Sequence, residues 1–470
     1  MKINFAAADI EKAPKGYVRV RVTESSFKRL CIEDGAEVLE VGVGKKFTEV
    51  TRRNFILVCR SIITTAKQNK VKKLAIELSH PTFPKLNDMT VAEFGSLVAE
   101  AFEMANYEHN TYKTKPKEGW SVVEEVLVCG ETPKEMQAGF KRGQIVAEEV
   151  NACRELANTP GGDMTPKTLA QAAKKALQGT KATLKVLGVK EMEKLGMGAV
   201  LGIGKGSKDE PQFIVMEYWG APKSERPVVL VGKGVTFDTG GLNIKTGDHM
   251  YEMHMDMSGG AAVIHAVALA AKLKLKANVI GLVPAVENMA GAGAVRPGDI
   301  LKSLSGKTIE VLNTDAEGRV ILADGITYAK RYKPKAVVDV ATLTGASLVA
   351  IGTVASCFMT NEEERINDLM MVAEKSGDYM WPLPAWEEYE SMTKGTFGDI
   401  PNLSTDGSSR DGGVIAGGMF LREFVKELEC LWVHIDMAPR MTARPDEYLA
   451  KGAVGAPVRF LLSFIESEVK

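Results

Sequence analysis

The chain has 470 residues, 45% hydrophobic and 25% charged, the balance of a globular protein long enough for two or three domains. Its 59 basic side chains meet 60 acidic ones, and the net charge of −1 supplies no overall field to recruit nucleic acid or a membrane surface. Six separated cysteines (Cys31, Cys59, Cys129, Cys153, Cys357, Cys430) form no CxxC pair, so buried free thiols and a reducing, cytoplasmic compartment are expected, with no apolar signal core at the N-terminus and no membrane-length run of ~18 apolar residues.

In chain order, 16–22 alternates apolar and polar residues and is predicted to be a half-exposed strand. A helix is predicted over 47–67 with Phe55, Ile56, Val58 and Cys59 as its apolar stripe, then a strand over 72–78, a helix over 90–104 and a strand over 121–129. This alternation favours a small, mostly parallel sheet covered by helices. No phosphate loop or paired acids occur here, and the region reads as a domain for assembly or shape. Pro133 opens a predicted helix over 134–158, and Asn158-Thr159-Pro160-Gly161-Gly162 ends it. The expected organisation is α/β with two domains, 1–155 and 156–470, each a mostly parallel or mixed sheet flanked by helices, joined by that long helix.

Beyond it, strands are predicted over 182–186, 212–218, 228–233, 277–285, 336–341 and 431–437, and helices over 165–177, 259–273 and 416–428. The run 227–231 is unbroken apolar sequence, as a buried parallel strand requires, and such strands carry working residues just past their carboxyl ends. Lys233 and Asp238 fall there, in a glycine-rich loop. Asp256 is a lone acid among apolar residues, and Lys245 follows in the first block.

The stretch Asn313-Thr314-Asp315-Ala316-Glu317-Gly318-Arg319 gathers two carboxylates, a glycine and an arginine within five residues. In an extended segment, Asp315 and Glu317 would aim their oxygens at one point. A helix is predicted to open just after Gly318, and a helix start favours an anion, as does the planar fork of Arg319. Two carboxylates beside an anion site conflict unless a cation lies between them. The segment 404–413 is polar and glycine-rich and is expected to be a loop.

Asn313 to Arg319 resembles the NTDAEGR signature of the leucyl aminopeptidase family of two-metal exopeptidases, and 231–245 resembles that family's VGKGxTFDSGGxxxK block, with Thr239 where serine is usual. The likeness extends to Glu287-Asn288-Met289, Arg296-Pro297-Gly298-Asp299, Ala341-Thr342-Leu343-Thr344-Gly345 and His434-Ile435-Asp436, and spans roughly 150–470. It implies a leucyl aminopeptidase: a metalloexopeptidase that hydrolyses the N-terminal bond of peptides with a free N-terminus and prefers leucine-like residues.

It also implies a site. Four carboxylates in one pocket repel, and two divalent cations would balance them. By the resemblance, Asp238 and Glu317 touch both metals, Asp256 and Lys233 complete one position, and Asp315 the other. A lysine ligand must be a neutral amine, and desolvation and an adjacent dication push it that way. Oxygen ligands with one amine suit Mn2+, Zn2+ or Mg2+. A metal-bridging water is the implied nucleophile, bicarbonate at Arg319 the implied general base, and protonated Lys245 the oxyanion stabiliser. Met253, Thr342 and Leu343 match positions lining the first-residue pocket. His254 is not expected to be a ligand, and His265 reads as core. The implied assembly is a homohexamer, a dimer of trimers, and 404–413 would lie near the substrate cleft or be simply solvated. No membrane partner is expected, and the near-neutral composition does not support a nucleic-acid partner. The rivals are a two-metal phosphoesterase and a non-catalytic scaffold that keeps its metal site.

Overall fold

The computed structural model describes residues 1–406 and 411–469. The chain divides into two compact units, one of residues 1–151 with 443–451, the other of 152–442 with 452–470.

In the first unit the strands are β1 (Lys2–Ala6), β2 (Val18–Thr23), β3 (Lys28–Glu33) and β4 (Ala36–Gly42), followed by α1 (Arg52–Gln68), β5 (Lys73–Ile76), α2 (Val91–Asn106) and β6 (Glu125–Cys129). They form one sheet in the order β1-β6-β5-β2-β4-β3. All neighbours are parallel except the β3–β4 pair. The predicted helix over 47–67 starts late. Thr51 accepts a hydrogen bond from the Asn54 N–H and caps α1, leaving Phe47–Glu49 as a separate 3-10 turn. Thr90 and Glu93 form the same reciprocal cap on α2. The apolar stripe of α1 is buried, and Phe55 stacks on Phe94 of α2 at 5.1 Å. The strand predicted over 121–129 shortens to β6.

The long helix α3 (Lys134–Asn158) runs from the first unit into the second. There follow α4 (Pro166–Ala176), β7 (Thr183–Leu187), α5 (Val189–Leu195), α6 (Gly198–Gly204), β8 (Gln212–Trp219), β9 (Val228–Gly232), β10 (Gly234–Asp238), α7 (Ser258–Lys272) and β11 (Asn278–Asn288). After short β12 (Ile300–Lys302) and β13 (Thr308–Glu310) come α8 (Glu317–Ala329), β14 (Ala336–Ala341), α9 (Ala346–Ile351) and β15 (Ser356–Thr360). The rest is α10 (Ile366–Ser376), β16 (Met380–Pro382), β17 (Ile400–Pro401), α11 (Gly413–Val425), β18 (Leu431–Asp436) and α12 (Val458–Ser467). The large mixed sheet has the order β16-β15-β18-β14-β9-β11-β8-β7, with β10 also paired to β11. Its centre, β18-β14-β9-β11, is parallel, and its strands are buried on both faces, as their largely apolar sequences require. The helix predicted over 416–428 is set three residues earlier, as α11. Of the segment 404–413, residues 407–410 lie outside the described residues.

Two features place the site. First, 228–238 is nearly one continuous strand: β9 lies between β14 and β11, and past Lys233 it continues as β10 against β11 alone. Asp238 is therefore a strand residue and does not sit in a loop, and Lys233 is the single residue between the two strands. Lys233 donates its N–H to Val340 O, the last rung before the strand leaves β14. Second, α8 opens at Glu317, two residues earlier than predicted. No capping residue marks this start, because Ala316 has no side chain that can serve as one.

Candidate functional site

The acids arrive from three segments. Asp238 is the last residue of β10, Asp256 precedes the N-terminus of α7, and Asp315 and Glu317 flank the start of α8. Asp315 and Glu317 do converge, but not along an extended segment. Asn313 Oδ1 accepts the Asp315 N–H at 2.7 Å and its carbonyl accepts the Ala316 N–H at 3.2 Å, so a turn brings the two carboxylates to one side. Asn402 braces this turn from another direction, accepting the Leu312 N–H at 2.8 Å and donating to Asn313 O at 2.6 Å.

Oxygens of Asp238, Asp315 and Glu317 lie within 4.8 Å of one another, the one metal-sized group of acids, histidines and cysteines among the described residues. Two ammonium groups lie among the four acids. Lys233 Nζ is 2.9 Å from Asp256 Oδ2 and 2.8 Å from Glu317 Oε1, and it donates to Thr342 O at 3.0 Å. Lys245 Nζ is 2.8 Å from Asp238 Oδ2 and 2.5 Å from Asp315 Oδ1. Thr342 Oγ1 donates to Asp256 Oδ1 at 2.7 Å, so Thr342 aims an acid as well as lining the cavity.

The electrostatics follow from burial. Glu317 is 1% exposed and Asp256 4%. Burial raises the Glu317 carboxyl to about 8, and the nearby Asp238 charge adds to this while Lys233 opposes it. Burial likewise raises Asp256 to about 6 against the pull of Lys233. Asp315 is raised by burial and by Asp238. Burial would lower both lysines, but the surrounding carboxylates outweigh it and hold both ammonium groups above the ordinary lysine value. Desolvation lowers the Arg319 guanidinium to about 10, with Glu317 and Asp436 opposing it.

The residues fit divalent cations and a planar anion. Asp256 Oδ2 and both Glu317 oxygens are buried without a hydrogen bond; Lys233 is at ion-pair distance from two of these atoms but out of hydrogen-bond alignment. Buried carboxylate oxygens with free lone pairs are what a hard cation requires. Arg319 is 5% exposed and its Nε–H has no partner, which leaves a buried donor for an anion.

A cavity of about 710 Å³ opens onto this cluster. Lys233, Asp238, Lys245, Asp256 and Asp315 line it, and so do Met253, Thr342 and Leu343, all three of the pocket residues singled out in the sequence. His254 is half-buried and does not belong to the acid group; His265 lies buried within α7. Sequence reasoning left Asn288 and Asn402 without roles and gave Thr342 only a pocket role. The signal available was position: Asn288 ends one largely apolar strand and Thr342 directly follows another.

The match to known proteins covers both units. The description "cytosol aminopeptidase family, catalytic domain" matches residues 151–462, and "cytosol aminopeptidase family, N-terminal domain" matches 33–116. A probable cytosol aminopeptidase of Aromatoleum aromaticum is 37% identical over 99% of this chain and 93% of that protein.

The chain belongs to the cytosol aminopeptidase family.

It is therefore an aminopeptidase and a hydrolase. A probable cytosol aminopeptidase of Nitrosococcus oceani is also 37% identical, over 99% of this chain and 93% of that protein. Among solved structures, a tomato leucine aminopeptidase mutant superposes with a TM-score of 0.86 at 26% identity, covering 99% of this chain and 96% of that one. The bottromycin maturation enzyme BotP in complex with Mn gives 0.84 at 28% identity, over 97% and 99%. The mixed α/β architecture is thus that of this aminopeptidase family.

Proposed function

We propose that this aminopeptidase is a two-metal exopeptidase that removes leucine-like residues from the free N-terminus of peptides. The observation that carries the reading is the pairing of each of two ammonium groups with two of the four acids, in a cluster that borders one cavity. Lys233, Asp256 and Glu317 would hold one cation; Asp238, Asp315 and Glu317 the other, with Asp238 reaching both. Cations bound there supply Lewis acidity and activate water near neutral pH. The Mn bound by BotP makes Mn2+ the first ion to try, with Zn2+ and Mg2+ as alternatives.

The chain's own residues do the rest. Lys233 must shed its proton to act as a ligand, so metal uptake at that position releases protons. Lys245, held protonated by its carboxylate neighbours, is placed to donate to the carbonyl oxygen as charge develops on it. Arg319, with its unpartnered Nε–H at the start of α8, would hold bicarbonate, which would supply a general base there. Met253 and Leu343 offer the substrate's first side chain an adaptable apolar wall. A homohexamer, a dimer of trimers, and a cytoplasmic location complete the reading. Its support for the latter is six free cysteines, and no helix among the described residues is long and apolar enough to cross a membrane. Light scattering decides the hexamer.

The test is hydrolysis of leucine p-nitroanilide with and without Mn2+, beside p-nitrophenyl phosphate. Release from the anilide alone is expected, with kcat lowered at least ~100-fold in Lys245→Ala while bound metal is retained. Cleavage of the phosphate ester instead, or an unimpaired Lys245→Ala enzyme, defeats the reading.

A further inference from the structure

Asn288 is the last residue of β11, in register with Asp238 at the end of β10, and is 1% exposed. Its carboxamide uses both N–H groups. One donates to Asp238 Oδ1 at 2.8 Å, the other to Thr314 O at 3.0 Å. The amide orientation is fixed by these partners, since reversing it would set an oxygen against a carboxylate and a carbonyl. The Asn288 main-chain carbonyl accepts both the N–H and the Oγ1–H of Thr239 at 2.9 Å.

Asp238 Oδ1 also accepts the Gly240 N–H at 2.8 Å. With two donors on Oδ1, its lone pairs are engaged, and Oδ2 is the oxygen paired with Lys245. The second N–H of Asn288 holds the residue that precedes Asp315. Thr314 is fully buried, donates Oγ1–H to Gly240 O at 2.6 Å and accepts the Asn243 N–H at 2.8 Å. There is no slack in this packing: a Cβ on Gly241 would lie 2.9 Å from Thr314 Oγ1 and 3.0 Å from Asn288 Oδ1. One carboxamide therefore spans the two segments that carry Asp238 and Asp315.

We infer that Asn288 is a positioning residue that selects which Asp238 oxygen faces the cations and fixes the gap between Asp238 and Asp315. It thereby sets the affinity of the metal position those two acids share. The inference rests on the two-metal reading above. It differs from a packing role because it acts through two N–H donors, and partners of this kind, one step removed from a metal, govern metal affinity.

The full-length protein is stripped with a chelator and titrated calorimetrically with Mn2+ alone, as wild type, Asn288→Ala and Asn288→Asp. The Asp variant keeps the side-chain volume and removes the donor pair. Wild type is expected to take up two ions per chain. Both variants should lose ~10- to 100-fold in affinity for one ion and much less for the other. Their activity at limiting Mn2+ should fall and then recover as Mn2+ is raised. Wild-type isotherms in both variants overturn the inference, as does failure of both to fold, which would make the role structural. A wild-type protein that takes up no Mn2+ and cleaves no anilide overturns the two-metal reading itself, a pattern distinct from a defect confined to the variants.

Discussion

Gly318 is the second residue of α8, and Lys233 uses the space its missing side chain leaves. A Cβ there would lie 2.6 Å from Lys233 Cε and 2.7 Å from its Nζ. A methyl group at 318 must push the amine away from Glu317 and Asp256. Gly318→Ala gains helix propensity, by ~1 kcal/mol, so a loss of function in it cannot be blamed on a weakened helix. The expected result is a protein that melts near the wild-type temperature but binds one fewer Mn2+ per chain by elemental analysis. Two tightly bound ions in Gly318→Ala would show that Lys233 is not a ligand. Asp238, Asp315 and Glu317 were legible in the sequence at this scale because they lie in dense motifs, and Asp256 because it is a lone acid among apolar residues. Their spacing was not. Thr342 reaches Asp256 across 86 residues and Asn288 reaches Asp238 across 50, and no local pattern reports such a pairing.

At the scale of elements, α8 serves a neighbour as well as the site. Asp324, fully buried midway along it, accepts N–H bonds from Ala199 at 3.1 Å and Val200 at 3.0 Å in the first turn of α6, and from Leu304 at 2.7 Å. The carboxylate is an N-cap supplied from another helix, since Met197 offers α6 no side-chain cap. Asp324→Ala strands three buried donors, and a stability loss of at least ~1–3 kcal/mol is expected from denaturant titration. Burial also raises the Asp324 carboxyl to about 7, opposed by those three bonds. A second buried pair joins β14 and β18: His434 Nδ1 lies 2.5 Å from Asp339 Oδ1, and Trp432 Nε1 donates to Asp339 Oδ2 at 2.7 Å. Burial lowers the His434 pKa, but Asp339 and Asp436 more than offset it, so the net shift is upward. A raised folded-state pKa contributes stability that is complete below the unfolded value of about 6.5 and is lost as pH rises through the folded value. The difference in unfolding free energy between wild type and His434→Asn should therefore shrink above pH ~6.5. A difference that is flat or grows across that range would show His434 to be neutral in the fold.

The elements themselves were unequally legible. The helix at 134–158 and the strand at 336–341 matched their predicted bounds because proline and glycine, or an abrupt end of apolar sequence, mark them. β10 was read as loop because Gly232, Lys233 and Gly234 interrupt the apolar run, yet β11 supplies the hydrogen bonds that keep it extended. β15 escaped notice for a different reason. It is five residues long, lies antiparallel to β18 and takes its shape from that partner.

Across the whole molecule, all the candidate ligands belong to the second compact unit, whose core is a mixed sheet buried on both faces. Ions bound to the folded chain and not to the unfolded one stabilise it by ~2.7 kcal/mol at a hundredfold excess over Kd. Chelation should therefore lower the melting temperature by several degrees, and Mn2+ should restore it along with activity. An identical melting temperature with and without chelator would argue against metal held by the fold.

The amine of Lys233 springs from a rung of the central sheet, its own N–H given to Val340, whereas Met253 sits in a short turn and Leu343 just past a strand end. Under the proposed reading, Met253 meets an incoming side chain from a turn that is separate from the strand carrying the amine, whereas Leu343 follows Thr342, whose carbonyl accepts from that amine. Exchanges at Met253 are therefore expected to change substrate preference with little cost to hydrolytic power, and exchanges at Leu343 to touch both.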